Sequence, residues 1–137
     1  MIYTFAAFML AMLPLAVGGD DKKPDRTIEV TRKDGKIRFT EKGQSKSKPV
    51  QVVVGETVRW VNRDDQPHTL RSIVEVEGKP LFRTEVIRPG ESKDMLFDID
   101  LYRKAGGRTA NFVRLKYHGD DRAEEPGELI FISAARR

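Results

Sequence analysis

The sequence contains no cysteine, and this absence excludes two classes of chemistry. No disulfide can cross-link the chain, so the fold must be held by its hydrophobic core alone. No thiolate is available either, so neither a cysteine nucleophile nor a thiolate-bound metal can occur. Histidine is nearly as scarce, since His68 and His118 are the only two in 137 residues.

Long blocks of like charge are also missing. The 25 basic and 21 acidic residues are interspersed, and the formal net charge is only +4. Nucleic-acid-binding proteins combine a basic stripe with interleaved aromatic residues, which this chain lacks, so we expect no nucleic-acid partner. There is no glycine-rich phosphate loop and no nucleophile turn with a matching histidine and aspartate. These absences predict that the protein is not an enzyme.

The first 19 residues carry no charge and are rich in alanine, leucine, methionine and phenylalanine. They end in small residues just before the charged run that starts at Asp20, which is typical of a secretory signal peptide and too short for a spanning helix. We therefore predict a signal peptide over 1–19, a linker over 20–26 and one domain over 27–137. The domain would be periplasmic or secreted, with no membrane span in its mature form. No lysine or arginine precedes the apolar run, so a misplaced start or retention as an anchor stays open.

The remainder alternates between apolar and polar residues in short segments separated by turn signals, as in β-structure. The Asp34-Gly35, Gly55-Glu56 and Pro89-Gly90 pairs are such turn signals. One helical turn over 100–107 is the only helical feature expected. The sequence predicts an all-β sandwich of seven to nine strands. The predicted strands are Thr27–Thr31, Lys36–Thr40, Val50–Val54, Thr57–Val61, His68–Val76, Leu81–Ile87, Ser92–Ile99, Ala110–His118 and Gly127–Ile132.

Several of these turns and strands occur in a specific order along the chain. The Gly55-Glu56 turn is followed by Trp60–Asn62, by His68–Ser72, by a turn at 89–92, by a strand ending in His118 and by a closing strand from Gly127. From about Lys36 onward the chain resembles the cupredoxin family, which includes plastocyanin and azurin. This resemblance implies a Greek-key β-sandwich in which His68 corresponds to the first copper ligand.

The second half of the family's copper site is altered in this chain. In blue-copper members a cysteine precedes a loop histidine, here matched by His118, and an axial methionine follows it. The cysteine would stand near Leu115 or Lys116, and no methionine lies between His118 and Gly127. A blue-copper centre is therefore excluded. A site of His68 and His118 completed by oxygen ligands would suit Cu(II), or less selectively Zn(II) or Ni(II). The nearby oxygen donors are Asp120, Asp121, Glu124 and Glu125.

Four other residues have a structural interpretation. Asn62 matches the family position whose side chain ties the ligand-bearing loops together, which would affect the ligands indirectly. Trp60 and Met95 are expected in the core. Tyr117 adjoins His118 and is expected to pack, and a phenolate or redox role is the alternative.

Three functional hypotheses follow. The first is an exported copper-binding protein with copper as its cofactor, used in copper handling or electron transfer with a redox or copper-delivery protein as partner. The second is a metal-free binding module that keeps the fold and uses the basic stretch 103–108 for an anionic partner. The third is an immunoglobulin-like sandwich in which the two histidines are unrelated.

Overall fold

The computed structural model describes residues 23–107, 111–119 and 125–133. The predicted signal peptide and three of the four predicted oxygen donors, Asp120, Asp121 and Glu124, lie outside these ranges. Within them, two four-stranded sheets are accompanied by a two-stranded hairpin. The predicted all-β sandwich is confirmed, but the described residues contain ten strands and not the predicted seven to nine, because residues 71–80 divide into three strands of only two residues each. No described helix is long and apolar enough to cross a membrane.

Strands of the two sheets are interleaved along the chain. The elements are β1 Arg26–Lys33, β2 Lys36–Glu41, β3 Val50–Val53, β4 Thr57–Asn62, β5 Arg71–Ser72, β6 Glu75–Val76, β7 Lys79–Pro80, β8 Ser92–Leu96, α1 Ile99–Lys104, β9 Phe112–His118 and β10 Gly127–Ile132. The first sheet has the order β2-β1-β4-β8 and the second has the order β3-β10-β9-β5. Strand β1 runs parallel to β4, and β10 runs parallel to β3, while the other neighbours are antiparallel.

An aromatic cluster forms the centre of the core. Every second residue of β4 is buried, which places Trp60 inside, as predicted, against the rings of Phe82, Phe97 and Tyr117. The Trp60 indole donates to the Tyr117 hydroxyl at 3.2 Å, so neither polar tip is left unsatisfied. A Cβ atom at Gly127 would lie 2.1 Å from Tyr117 Cζ, so β10 must begin with glycine. Burial of each large side chain contributes about 2 kcal/mol, which a disulfide-free domain requires.

Residues 68–87 form one interrupted hairpin, which we call the 68–87 arm. The two continuous strands predicted here are wrong, because only β5, β6, β7 and two isolated bridges are present. Side-chain hydroxyls replace part of the ladder: the Leu70 amide donates to Thr84 Oγ1 and the Phe82 amide donates to Ser72 Oγ. At the tip, consecutive residues 77 and 78 both have positive φ, as in a type I′ turn.

The prediction that Ser92–Ile99 is one strand is also wrong at its end. Strand β8 stops at Leu96, and the Asp98 carboxylate accepts a hydrogen bond from the Leu101 amide at 2.9 Å. This is an N-cap, so the expected helical turn is present as α1. Ile99, predicted as the last residue of this strand, is 44% exposed because it lies on the first turn of the helix. Met95 packs against the core as predicted.

Candidate metal-binding region

The loop between β4 and His68 is fixed by the buried side chain of Asn62. Its amide nitrogen donates to the carbonyls of Gln66, at 2.7 Å, and Ile87, at 2.8 Å. Its oxygen accepts from the amide of Asp64 at 2.9 Å. One side chain thereby joins residues 64–66 to the end of the 68–87 arm, so the loop geometry is set before any ligand is present.

His68 lies at the base of the arm and is 1% exposed. Its backbone amide and carbonyl both hydrogen bond to Ile87, at 3.0 and 2.7 Å. Its ring Nε2 lies 2.6 Å from Oδ2 of Asp64, which is 7% exposed. The guanidinium of Arg32 donates to the same carboxylate from Nε, at 3.2 Å, and from Nη2, at 3.1 Å. A chain of charge-assisted hydrogen bonds, buried at His68 and Asp64 and open to solvent at Arg32, therefore orients the imidazole.

The charge state of Asp64 determines which nitrogen of His68 carries a proton. Burial alone would raise the pKa of Asp64, but hydrogen bonds from Arg32 and His68 outweigh it and hold the pKa below its ordinary value. Asp64 is thus a carboxylate that can only accept hydrogen bonds. His68 Nε2 must be the donor, and in the neutral ring Nδ1 then carries the lone pair.

Gly119 is the residue beside that lone pair. A Cβ atom on Gly119 would lie 3.7 Å from His68 Nδ1 and 3.8 Å from a methyl of Leu70. Buried residues Leu115 and Tyr117 lie on the inner face of β9, and Gly119, directly beyond the strand, continues this alternation. The resemblance to cupredoxins predicted that the copper-binding cysteine of that family would correspond to Leu115 or Lys116 in this chain. In the structure Leu115 stands about 13 Å along the strand from Gly119, so Gly119 is the residue that faces His68.

His118 is the last residue of β9 and is half-buried. Its Nδ1 lies 2.7 Å from the carbonyl oxygen of Gly119. A carbonyl can only accept, so Nδ1 is the donor and Nε2 carries the lone pair of the neutral ring. Strand alternation turns the side chain of His118 away from the inner face that holds Tyr117. Both predicted histidines therefore border Gly119, each from a different side.

Solved structures similar in fold to this chain include proteins named cupredoxin and amicyanin. One is a purple cupredoxin from Nitrosopumilus maritimus, with a TM-score of 0.51 and 21% identity, matched over 78% of this chain and 99% of that one. Another is an oxidised amicyanin mutant, with a TM-score of 0.51 and 17% identity over 77% of this chain and 81% of that one. A third is the Cu(I) form of an amicyanin mutant, with a TM-score of 0.50 and 18% identity over 80% and 86%.

The chain has the cupredoxin fold. At these identities the likeness is one of fold, and function must be argued from the site. Neither a protein-family model nor a curated protein matches the sequence. The immunoglobulin-like alternative is not supported, because the structural neighbours are cupredoxins.

Within this cupredoxin fold the described residues offer two imidazole nitrogens and no thiolate. No group of three or more histidine, cysteine, aspartate or glutamate side chains capable of holding a metal occurs in 23–107, 111–119 and 125–133. Glu125, the one predicted oxygen donor in those ranges, is exposed. The donor chemistry present fits a divalent ion that accepts nitrogen and oxygen, with further ligands from water or from outside the described ranges.

Sequence reasoning did not identify Asp64 and Arg32 as partners of His68. In the sequence Asp64 is one of several polar residues in the loop after β4. Its separation of four residues from His68 does not imply a contact, because the segment is not helical. Arg32 is 32 residues earlier, on another strand, so only the β1–β4 pairing brings it near. Only the register of β1 against β4 could have revealed this contact. Parallel pairing places Val30 opposite Asn62, so Arg32 lies near the start of the loop that follows β4.

Proposed function

We propose that this cupredoxin-fold protein is an exported, non-enzymatic copper-binding protein in which His68 Nδ1 is a ligand. His118, which strand alternation turns to the other side of Gly119, is a separate candidate ligand through Nε2. The observation that supports the proposal is that each imidazole donates one ring N–H to an acceptor-only oxygen. Metal-binding histidines commonly donate their other N–H to a carboxylate or carbonyl, which fixes the tautomer and the ring orientation. Both histidines are thus prepared to present a lone pair.

The surrounding residues have distinct roles in this proposal. Asp64 holds the proton on Nε2 of His68, and Arg32 keeps Asp64 ionised and in position. Leu70 and the buried Gly119 exclude water from one side of the His68 ring. Bound Cu(II) would supply a Lewis-acid centre that favours imidazole and oxygen donors in tetragonal geometry.

Copper handling is the favoured role. Electron transfer in blue-copper sites is tuned around a cysteine sulfur, and this sequence has no cysteine. A protein that receives or delivers copper is therefore the favoured partner over a redox protein. The periplasmic or secreted location rests on the N-terminal sequence pattern.

The test is a Cu(II) titration followed by electron paramagnetic resonance and visible absorption. We expect one saturable Cu(II) per chain, nitrogen hyperfine structure and no intense thiolate band. His68→Gln is the matched variant, because the glutamine amide can still donate to Asp64 but offers no nitrogen lone pair. It should abolish this signal, and His118→Gln tests whether the second histidine joins the same ion, in which case the number of coupled nitrogens should fall. Unchanged Cu(II) binding by His68→Gln would show that the site is wrong.

A metal-free binding module is the second candidate, and exposed apolar residues on the arm favour it. Ile73, Val74 and Val76 are exposed near its tip, and Val86 is exposed near its base. Exposed apolar side chains grouped on one element are typical of protein-interaction surfaces. Absence of saturable Cu(II) binding together with intact folding would favour this role. The predicted basic stretch is exposed at Arg103 and Lys104, whereas Arg108 lies outside the described residues.

A further inference from the structure

A polar cavity of about 280 Å³ lies beside the N-terminal end of β1. It is bordered by that strand, by the end of β2, by the loop that connects β2 to β3, and by β3 itself. Its volume is at the lower limit of small-molecule pockets. The side chains that line it and could recognise a ligand are Arg26, Glu41, Gln44, Lys46, Lys48 and Gln51.

The charges of this lining favour an anion. Arg26, Lys46 and Lys48 provide three cations, whereas Glu41 provides one carboxylate. A guanidinium presents its donors in a planar fork that matches carboxylate and phosphate oxygens. Lysine ammonium groups add strong but less directional attraction. The two glutamine amides offer neutral hydrogen bonds to the remainder of a ligand.

Arg26 also has a donor that the described residues do not satisfy. Its Nε atom is buried and has no hydrogen-bond partner there. Oxygen Oε2 of Glu56 lies 3.8 Å from that nitrogen, beyond hydrogen-bond distance. The other carboxylate oxygen of Glu56 accepts from the Val53 amide at 2.6 Å, which holds Glu56 in the turn. Buried donors without partners are rare in folded proteins, so the Nε–H of Arg26 is available to a ligand or a water.

We propose that this cavity binds a small polyhydroxylated organic anion, with its phosphate or carboxylate group near Arg26 and Lys48. In this arrangement Glu41 accepts hydrogen bonds from ligand hydroxyl groups, which explains a carboxylate in a cationic pocket. Gln44 and Gln51 can donate to or accept from the same hydroxyls. A sugar phosphate and a sugar acid share this chemistry, and the experiment below distinguishes them.

The pocket is separate from the copper proposal. Arg26 and Arg32 lie six residues apart on β1, or about 20 Å along an extended strand. Arg32 contacts Asp64 near His68, whereas Arg26 lies at the opposite end. Loss of ligand binding here would leave Cu(II) binding unchanged, and the converse holds as well.

The experiment is a titration of the isotope-labelled protein with glucose 6-phosphate, glucuronate, inorganic phosphate and glucose, observed by ¹H–¹⁵N NMR. We expect one or both sugar anions to shift the side-chain amides of Gln44 and Gln51 in a saturable way, and the stronger binder identifies the acidic group. Glucose should give no shift, and inorganic phosphate should bind more weakly than the better sugar anion. Absence of saturable shifts with both sugar anions would overturn the proposal.

Variants separate a built site from general attraction to a basic protein. The double change Lys46→Gln and Lys48→Gln should weaken binding at least about tenfold, since each loses a charge-assisted contact. These loop residues are exposed, so the fold should be retained. The double change Lys33→Gln and Lys79→Gln is the matched control, because it removes the same two charges at exposed positions outside the cavity and should leave the affinity unchanged. Equal weakening by the control and by the change at Lys46 and Lys48 would show adventitious ionic attraction and overturn the proposal.

Discussion

At the scale of single residues, Asp64 is the group on which the candidate metal region depends. It is buried, ionised, and shared between a cation from another strand and the only buried histidine of the described residues. A buried carboxylate with such partners is a common feature of functional sites, although structural networks also produce it. Asp64 supports the metal proposal through its position, because its contact with Nε2 of His68 leaves Nδ1 as the nitrogen available to a metal.

Replacement of Asp64 by asparagine tests both of its roles. Asp64→Asn removes the buried ion pair, so we expect the free energy of unfolding to fall by about 2 kcal/mol, since Arg32 is still partly solvated. The fixed tautomer of His68 is lost as well, so Cu(II) affinity should fall about 10- to 100-fold. Urea denaturation and Cu(II) titration measure the two effects.

Asp94→Asn is the matched control for this change. Asp94 accepts two hydrogen bonds from Arg59 in a similar fork, at 2.7 and 2.9 Å, but at an exposed position. Its loss should cost less than about 1 kcal/mol and leave Cu(II) affinity unchanged. Equal effects of the two variants would contradict a special role for Asp64.

Gly119 is the position at which a thiolate could be restored. Because a Cβ there lies 3.7 Å from His68 Nδ1, the sulfur of a cysteine introduced at this position could share a metal with that nitrogen, at the bond lengths usual for such sites. We expect Gly119→Cys to produce an intense sulfur-to-metal charge-transfer band with Cu(II) or Co(II) that the parent protein lacks. Lys116→Cys, on the exposed side of β9, should give no such band. A band of equal strength from both variants would contradict the assigned geometry.

At the scale of elements, the strands that alternate cleanly were predictable and the arm was not. Strands β4, β9 and β10 were located from period-two burial, which follows directly from strand geometry. The 68–87 arm has the same composition but only intermittent pairing, because hydroxyls of Ser72 and Thr84 take over ladder positions. Such substitutions depend on tertiary proximity, which no local pattern reveals.

The same limit applies to the candidate site. The resemblance identified His68 and Asn62, and the structure shows both buried at the base of the arm. The residue facing His68 was placed three or four positions too early, because the family spacing was counted back from His118, which is itself the last residue of β9 and not part of the following loop. Partners that come from separate strands, such as Arg32, need the sheet register before they can be assigned.

Asn62 is the residue that couples the loop to the arm, and its removal tests that coupling. Asn62→Ala deletes three hydrogen bonds at a fully buried position and leaves the Asp64 amide and the Gln66 carbonyl without this partner. We expect a loss of about 3 kcal/mol in unfolding free energy, since unsatisfied buried groups are costly. Chemical denaturation measures it, and Asn111→Ala, at an exposed position, should cost less than about 0.5 kcal/mol. A loss as small as that of the control would show that the loop is held by other contacts.

At the scale of the whole molecule, stability rests on the aromatic core and on a few buried polar connections. The core joins Trp60 of the first sheet to Tyr117 and Phe131 of the second through Phe97 and neighbouring rings. Without disulfides, there is no covalent constraint on the unfolded chain. The buried ionic connection between β1 and the loop before His68 therefore carries a measurable share of the global stability.

That share should depend on pH in a defined direction. The pKa of Asp64 is lower in the folded protein than its ordinary value, because hydrogen bonds from Arg32 and His68 favour the carboxylate. The folded state therefore binds fewer protons at this group than the unfolded state does. Its stabilising contribution is complete above the unfolded pKa of about 3.9, and it is lost as the pH falls below that value toward the folded pKa.

Measurement of unfolding free energy by urea denaturation at about pH 7 and about pH 3 checks this expectation. The unfolding free energy of the parent protein should fall more on acidification than that of Asp64→Asn. The difference in unfolding free energy between the two proteins should therefore be smaller at about pH 3 than at about pH 7. Other carboxylates are common to both proteins, so the difference isolates Asp64. A gap that is equal at both pH values would mean that Asp64 binds protons alike in the folded and unfolded states, and the ionic account of this connection would then be wrong.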